Sequence, residues 1–184
     1  YTTSKQELTN LTSEVNINVT GSYKEKYAYI SGCASYARDS HLKNVTNLGN
    51  ITYSGGTATR AAISGISANC RLLTNCVNGA ENDKNKGKLI YDSTTESVSF
   101  YAGGMCQLSG NNMNAVNCVN YGSIIATERS NATGHIVGGL FGNCDTGSTT
   151  CTQIFDNCHN HGDISMLSGK ALGNVKVGGG FAQI

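Results

Sequence analysis

The sequence predicts an all-β protein: a right-handed parallel β-helix, or β-solenoid, of about four to five coils stapled by disulfides. Three observations carry that expectation. Two short segment types alternate along the chain, one Gly-containing and apolar, the other built on Asn-x-x-Asn-x-Gly-x-Ile. No 3.6-residue apolar period accompanies them, which excludes the helical repeat families. Trp is absent from the 184 residues, so the Trp-Asp signature of a propeller blade is missing too.

The elements follow in order. Residues 1–26 are polar, with alternation over Val15, Ile17 and Val19 that reads as a strand; they form an N-terminal arm or cap. Repeats occupy 27–184, divided at about 27–62, 63–100, 101–136 and 137–176, with a partial copy at 177–184. The first segment type reads Tyr29-Ile30-Ser31-Gly32-Cys33, Ile63-Ser64-Gly65-Ile66, Ala102-Gly103-Gly104-Met105-Cys106, Val137-Gly138-Gly139-Leu140-Phe141-Gly142 and Val177-Gly178-Gly179-Gly180-Phe181. The second starts at Asn44, Asn75, Asn117 and Asn157, and so restarts after 31, 42 and 40 residues. Polar stretches at Glu81–Lys88 and Gly110–Ala115 read as loop-like inserts that account for the drift. Ile51, Ile63, Ile124, Leu140, Phe141 and Ile164 are expected to point inward and stack coil on coil. Gly pairs suit bends where backbones approach closely. Repeated Asn suits left-handed corners and side-chain ladders.

Composition narrows the setting. Charged residues make up 14% of the chain and the formal net charge is +1, which gives no electrostatic reason to expect a nucleic acid partner or an anionic membrane. No apolar run reaches the roughly 18–20 residues of a membrane span. Eight Cys in a neutral, Asn- and Thr-rich chain favour an oxidising, extracellular or cell-surface location. N-glycosylation sequons at Asn10, Asn18, Asn44, Asn50 and Asn131 point the same way. The chain starts at Tyr1 rather than Met, as a mature product or a fragment would.

The repeats give the cysteines two competing logics. Equivalent positions pair Cys70 with Cys76, Cys106 with Cys118 and Cys144 with Cys158 inside each repeat, leaving Cys33 and Cys151. The other scheme joins Cys144 to Cys151 and links neighbouring coils through Cys118 and Cys158, because stacked coils bring equivalent Cα atoms within disulfide range. The leftover Cys33 and Cys151 lie toward opposite ends, where they would approach each other between stacked subunits. No Cys-x-x-Cys occurs, so a zinc site is not expected.

Residues able to carry chemistry are sparse. His159 and His161 share a strand face near Asp156 and Asp163, but the equivalent positions are Val119 and Tyr121, as expected of exposed, variable sites. His41 and His135 read as solvated residues of connections. A polysaccharide-active β-helix would need clustered carboxylates. Asp145, Asp156 and Asp163 lack partners in the next repeat unless the fold brings Asp92 or Glu128 close. No nucleophile-elbow, Walker or Rossmann motif is present, and no catalytic, metal or cofactor site is expected. Tyr23, Tyr27, Tyr29 and Tyr36 cluster near the start, as a cap over the first coil or as a glycan-stacking strip.

The Val137–Gly142 segment and the Asn157-Cys158-His159-Asn160-His161-Gly162-Asp163-Ile164 strand resemble the GLUG-motif repeats of bacterial surface and adhesin-like proteins, best over residues 100–184. The resemblance implies a β-solenoid in an extracellular, adhesive setting and implies no activity. The abundant Cys and sequons depart from the bacterial pattern and suggest a eukaryotic secreted version. The expectation is a non-enzymatic structural or adhesive repeat protein. Its partners are further repeats or copies stacking head to tail into a filament. A carbohydrate-binding module with glycans as ligands is the alternative, and a polysaccharide-active enzyme comes third.

Overall fold

A computed structural model describes residues 6–20, 27–54, 60–93, 99–128, 134–144, 152–168 and 175–183. Cys151, Asn131, Asp145 and Tyr23 lie outside them. The chain forms strands β1 (Glu7–Ser13), β2 (Ile17–Val19), β3 (Tyr27–Ser31), β4 (Ala37–Asn47), β5 (Ile51–Tyr53), β6 (Arg60–Ser64) and β7 (Ser67–Thr74). Next come β8 (Val77–Asn78), β9 (Leu89–Ser93), β10 (Ser99–Gly103), β11 (Cys106–Val116), β12 (Val119–Asn120), β13 (Ile124–Glu128) and β14 (His135–Gly138). The last are β15 (Phe141–Asn143), β16 (Ile154–Asp156), β17 (His159–Asn160), β18 (Ile164–Ser168), β19 (Val175–Gly178) and β20 (Phe181–Gln183).

These strands build a parallel β-solenoid of about four turns. The chain visits three sheets in a fixed order and returns one rung further along. One face is the five-stranded sheet β2-β5-β9-β13-β18, and the second is β3-β6-β10-β14-β19. The third is a ten-stranded sheet assembled from β1, β4, β7, β8, β11, β12, β15, β16, β17 and β20. Every strand pairing is parallel, for example Ile51↔Leu89, Leu89↔Ile124 and Ile124↔Ile164 along one face. β1 and β2 pair in register with β4 and β5, so residues 7–19 lay two strands of the first rung on the stack.

The two repeat segments are coupled in space. Asn47, Asn78, Asn120 and Asn160 stack along the inside of one corner. Each amide donates to the next: Asn47 Nδ2 to Asn78 Oδ1 (2.8 Å), Asn78 to Asn120 (2.7 Å) and Asn120 to Asn160 (2.7 Å). Asn47 and Asn120 also close a ring with the glycine two residues on; Asn120 Nδ2 donates to Gly122 O at 2.9 Å and Gly122 N donates to Asn120 Oδ1 at 3.1 Å. Room for this ladder comes from the Gly segment. A Cβ on Gly104 would lie 2.3 Å from Asn120 Cγ, and one on Gly65 2.2 Å from Asn78 Cγ. The Gly half of the motif therefore makes space for the Asn half.

A second ladder runs along the outside. Asn10, Asn44, Asn75, Asn117 and Asn157 all have positive φ, between 48° and 56°. They are linked by Nδ2–Oδ1 bonds of 2.8–3.1 Å, each donating toward the N-terminal side. Asn is among the few non-glycine residues that visit this region routinely, because its short amide bonds locally. The expected corner role of Asn is thus realised twice, once with exposed and once with buried amides.

The interior holds two apolar columns. One contains Ile51, Tyr53, Ile63, Leu89, Tyr91, Phe100 and Ile124, with Tyr91 stacked between Tyr53 (5.8 Å between ring centres) and Phe100 (4.4 Å). The other contains Leu42, Leu73, Met105, Met113, Leu140 and Phe141 together with the buried cysteines. Ile51, Ile63, Ile124, Leu140 and Phe141 are buried as expected, and Ile164 packs against the first column from the last rung.

Two expectations change. Gly110–Ala115 is part of β11 rather than a loop; the pairing with β7 shifts register between Ser109 and Asn114, Asn112 takes φ 62°, and Met113 and Ala115 turn into the core. A bulge absorbs the extra residues without leaving the sheet. His135 is a buried residue of β14 rather than a solvated one: its Nδ1 accepts the Phe100 N–H at 3.1 Å. His41 sits in β4, half-buried, with Nε2 2.9 Å from Thr74 Oγ1.

Candidate functional site

Two features stand out from the rungs: a lateral groove and a column of thiols. The groove exists because one rung is longer than its neighbours. Elsewhere the inner Asn and its glycine are two residues apart. In the second repeat Asn78 Nδ2 bonds instead to Gly87 O, at 2.9 Å, and residues 79–86 bulge from the corner. That excursion is compact: Asp83 N donates to Ala80 O (3.3 Å), Lys86 N to Asp83 O (3.1 Å) and Asn85 N to Asp83 Oδ1 (2.9 Å).

Gly79, Tyr121 and His161 occupy matching positions in successive rungs, each directly after an inner-ladder Asn. Tyr121 and His161 stack with centres 5.3 Å apart and planes 15° from parallel. Gly79 adds no side chain on the other side, so the ring of Tyr121 faces the excursion. Ala80, Glu81, Lys84, Tyr121 and His161 line the resulting groove. It offers a flat ring flanked by a carboxylate and an ammonium, a combination suited to a polyhydroxylated ring with one apolar face.

His159 and His161 are exposed, as expected of variable positions; His159 Nε2 lies 2.8 Å from Asn157 Oδ1. Asp156 and Asp163 are exposed at the edges of β16 and β18. Among the described residues, no group of three or more His, Cys, Asp or Glu could hold a metal ion. Tyr29 and Tyr36 meet edge to face at 6.0 Å and are 38% and 59% exposed, so their rings remain available on the surface rather than closing over the first rung.

Four sequon asparagines are placed. Asn10 and Asn44 are exposed members of the outer ladder, and Asn18 is exposed on β2. Asn50 is half-buried; its Oδ1 accepts Lys88 N at 2.8 Å.

Seven cysteines are described, and none is joined in a disulfide; the predicted staples inside each repeat are not formed. The thiols sort by column rather than by repeat. Cys118 lies between Cys76 and Cys158, its counterparts in the rungs on either side. Their sulfurs donate to backbone carbonyls: Cys76 to Leu42 O at 3.3 Å, Cys118 to Val116 O at 3.4 Å and Cys158 to Asp156 O at 3.3 Å. Burial pushes the Cys33 thiol up to about 12 and holds Cys70 well above its ordinary value. The neighbouring Cys118 thiol brings half-buried Cys158 down to about 7. Cys118, flanked by Cys158 and Cys76, is raised.

No protein-family model, curated protein or solved structure matches the chain.

Proposed function

We propose that this protein is a non-enzymatic structural or adhesive repeat protein, secreted to the cell exterior, whose solenoids stack head to tail into a filament. The observation that carries this reading is the matched character of the two terminal rungs. Among the described residues, no strand pairs with the outer edges of β1, β2 and β3 at one end, or of β17, β18, β19 and β20 at the other. All strands run the same way, so translation of a second copy along the axis continues every sheet in parallel. The outer ladder continues as well, since Asn10 stands at one end of it and Asn157 at the other. The last rung leaves Phe155, Ile164, Met166 and Phe181 only partly covered, and the aromatic pair stacks on Phe141 as a further rung would stack on them. Exposed parallel edges over apolar side chains favour strand addition, by further repeats of the same protein or by a second copy.

Sedimentation velocity and negative-stain microscopy of the native protein test this. The expected result is a concentration-dependent series of oligomers and fibres of solenoid width. A monomer at all concentrations overturns the filament. Replacing Phe181 by Lys is expected to abolish assembly while the far-UV spectrum stays β-rich.

The groove under Tyr121 favours a second reading, in which the solenoid also binds glycans from its flank. Retention on a glycan array, lost in Tyr121→Ala, is the expected outcome; equal retention by the variant removes the groove from the reading.

A further inference from the structure

The described cysteines include one column that runs through successive rungs: Cys76, Cys118 and Cys158; Val45 holds the place one rung before Cys76, because Thr46 pairs with Val77. Val119 pairs with Val77 on one side and His159 on the other, so the preceding cysteines of the three rungs are neighbours along the axis. Parallel strands lie about 4.8 Å apart, inside the roughly 4.4–6.8 Å between Cα atoms that a disulfide accepts. Cys158 and Cys76 both act on the Cys118 thiol and raise it. The three thiols thus form an axial series, ending at half-buried Cys158 in the final rung.

We propose that this column is an oxidative modification site that ties the last rungs of the solenoid together, joining Cys118 to Cys158. Cys118 has two sulfur neighbours and forms a disulfide with only one. Access decides between them, because Cys158 is half-buried and Cys76 is buried. Once Cys118 is taken, Cys76 has no in-register cysteine left, since Val45 occupies the place before it. The bridge crosses between rungs and does not lie inside a repeat.

The oxidant is a small-molecule disulfide of the glutathione type. The Cys158 thiolate attacks one of its sulfurs, breaking the sulfur–sulfur bond and expelling one thiolate. The Cys118 sulfur then attacks the Cys158 sulfur of the mixed disulfide, and its proton passes to the second expelled thiolate. Two protein thiols become one disulfide as the small disulfide becomes two thiols. Cys158 is the entry point because it is the one half-buried thiol of the column and the neighbouring Cys118 thiol favours its thiolate near neutral pH. The consequence is mechanical: the last rung, the least covered of the stack, becomes covalently tied to the one beneath it.

The test uses the whole chain, reduced and desalted, then incubated with oxidised glutathione at neutral pH without denaturant. Samples are quenched with N-ethylmaleimide over time and mapped as unreduced peptides by mass spectrometry. The expected record is a Cys118–Cys158 linked peptide, preceded by a transient glutathione adduct on Cys158. Links of Cys106 to Cys118 or of Cys144 to Cys158 overturn the proposal. So does a glutathione adduct on Cys158 that never resolves, or alkylation of both Cys118 and Cys158 after long exposure. Cys158→Ser supplies an independent check: the first link is expected to move to Cys76–Cys118 and to form at least tenfold more slowly, and an unchanged rate of thiol loss at Cys118 overturns the assignment of Cys158 as entry point.

Discussion

Replacing Asn120 by Ala is the sharpest probe of what holds the rungs in register. The Asn120 amide accepts from Asn78 Nδ2 at 2.7 Å and donates to Gly139 O at 2.9 Å and Asn160 Oδ1 at 2.7 Å, besides closing its ring with Gly122. Alanine removes all of these at a site with no solvent exposure. Gly122 N keeps a long bond to Asn78 O, at 3.3 Å, and half-buried Asn160 can turn to water. The Gly139 and Gly122 carbonyls and one Asn78 N–H lose this partner. An orphaned buried polar group costs about 1–3 kcal/mol, so three of them should cost the variant about 3–9 kcal/mol of a total near 5–15 kcal/mol. The control is Asn117→Gly on the outer ladder. It also breaks two amide bonds, of 3.1 and 2.8 Å, but these are exposed, and glycine tolerates the φ of 54°. That variant should lose less than about 1 kcal/mol. Urea unfolding followed by far-UV circular dichroism, under reducing conditions, measures both. Losses within about 1 kcal/mol of each other would refute the buried ladder as the main register lock.

Further outcomes are specific to single positions. Gly104→Ala drives a Cβ to 2.3 Å from Asn120 Cγ and Gly139 O and should unfold the chain at room temperature, whereas Gly179→Ala, with nothing within 4 Å, should leave the thermal midpoint unchanged. Tyr91→Leu breaks a buried three-ring stack and should cost about 2–4 kcal/mol by urea titration. Asp39→Asn removes the 3.3 Å ion pair with Arg71, in which the carboxylate side chain is 76% exposed, and should change stability by less than about 0.5 kcal/mol. Iodoacetamide should label Cys158 with a rate that rises with pH through about 7, as the thiolate forms, while Cys33 stays unreactive until about pH 12; matching profiles at the two sites would contradict the effect of Cys118 on Cys158.

The β-solenoid was legible because its signals are local: a Gly segment, an Asn segment and stacked apolar positions recur in order. What the repeats do to one another was less so. The spacing showed that Gly104 and Asn120 belong to one repeat, but not that the missing Cβ of one houses the amide of the other. Cysteines close in sequence, such as Cys106 and Cys118, suggested pairing within a repeat, whereas a solenoid brings closest together residues a full turn apart. His135 resembled a polar connection residue, yet its ring supplies an acceptor to the Phe100 backbone, a role visible only when β10 and β14 are paired. Gly110–Ala115 has a loop's composition, but Met113 and Ala115 give it the inward face of a strand. The groove was half legible. Alignment puts Tyr121 over His161, while Glu81 and Lys84 reach it only because the corner at Asn78 bulges.

That bulging corner bears on how such a chain can lengthen over generations. Asn78 keeps its amide ring closed by reaching Gly87 instead of the residue two places on. The lock thus reads the position of a carbonyl and is indifferent to how many residues come between. Asn78 and Asn120 each take a hydrogen bond from the rung before and give one to the rung after, so the middle rungs present the same two halves of a joint. A duplicated stretch of gene encoding one rung would find matching surfaces above and below wherever it landed, and new sequence inserted at the corner would leave the joint intact. Variation can therefore accumulate at the corners while the axial bonding repeats unchanged.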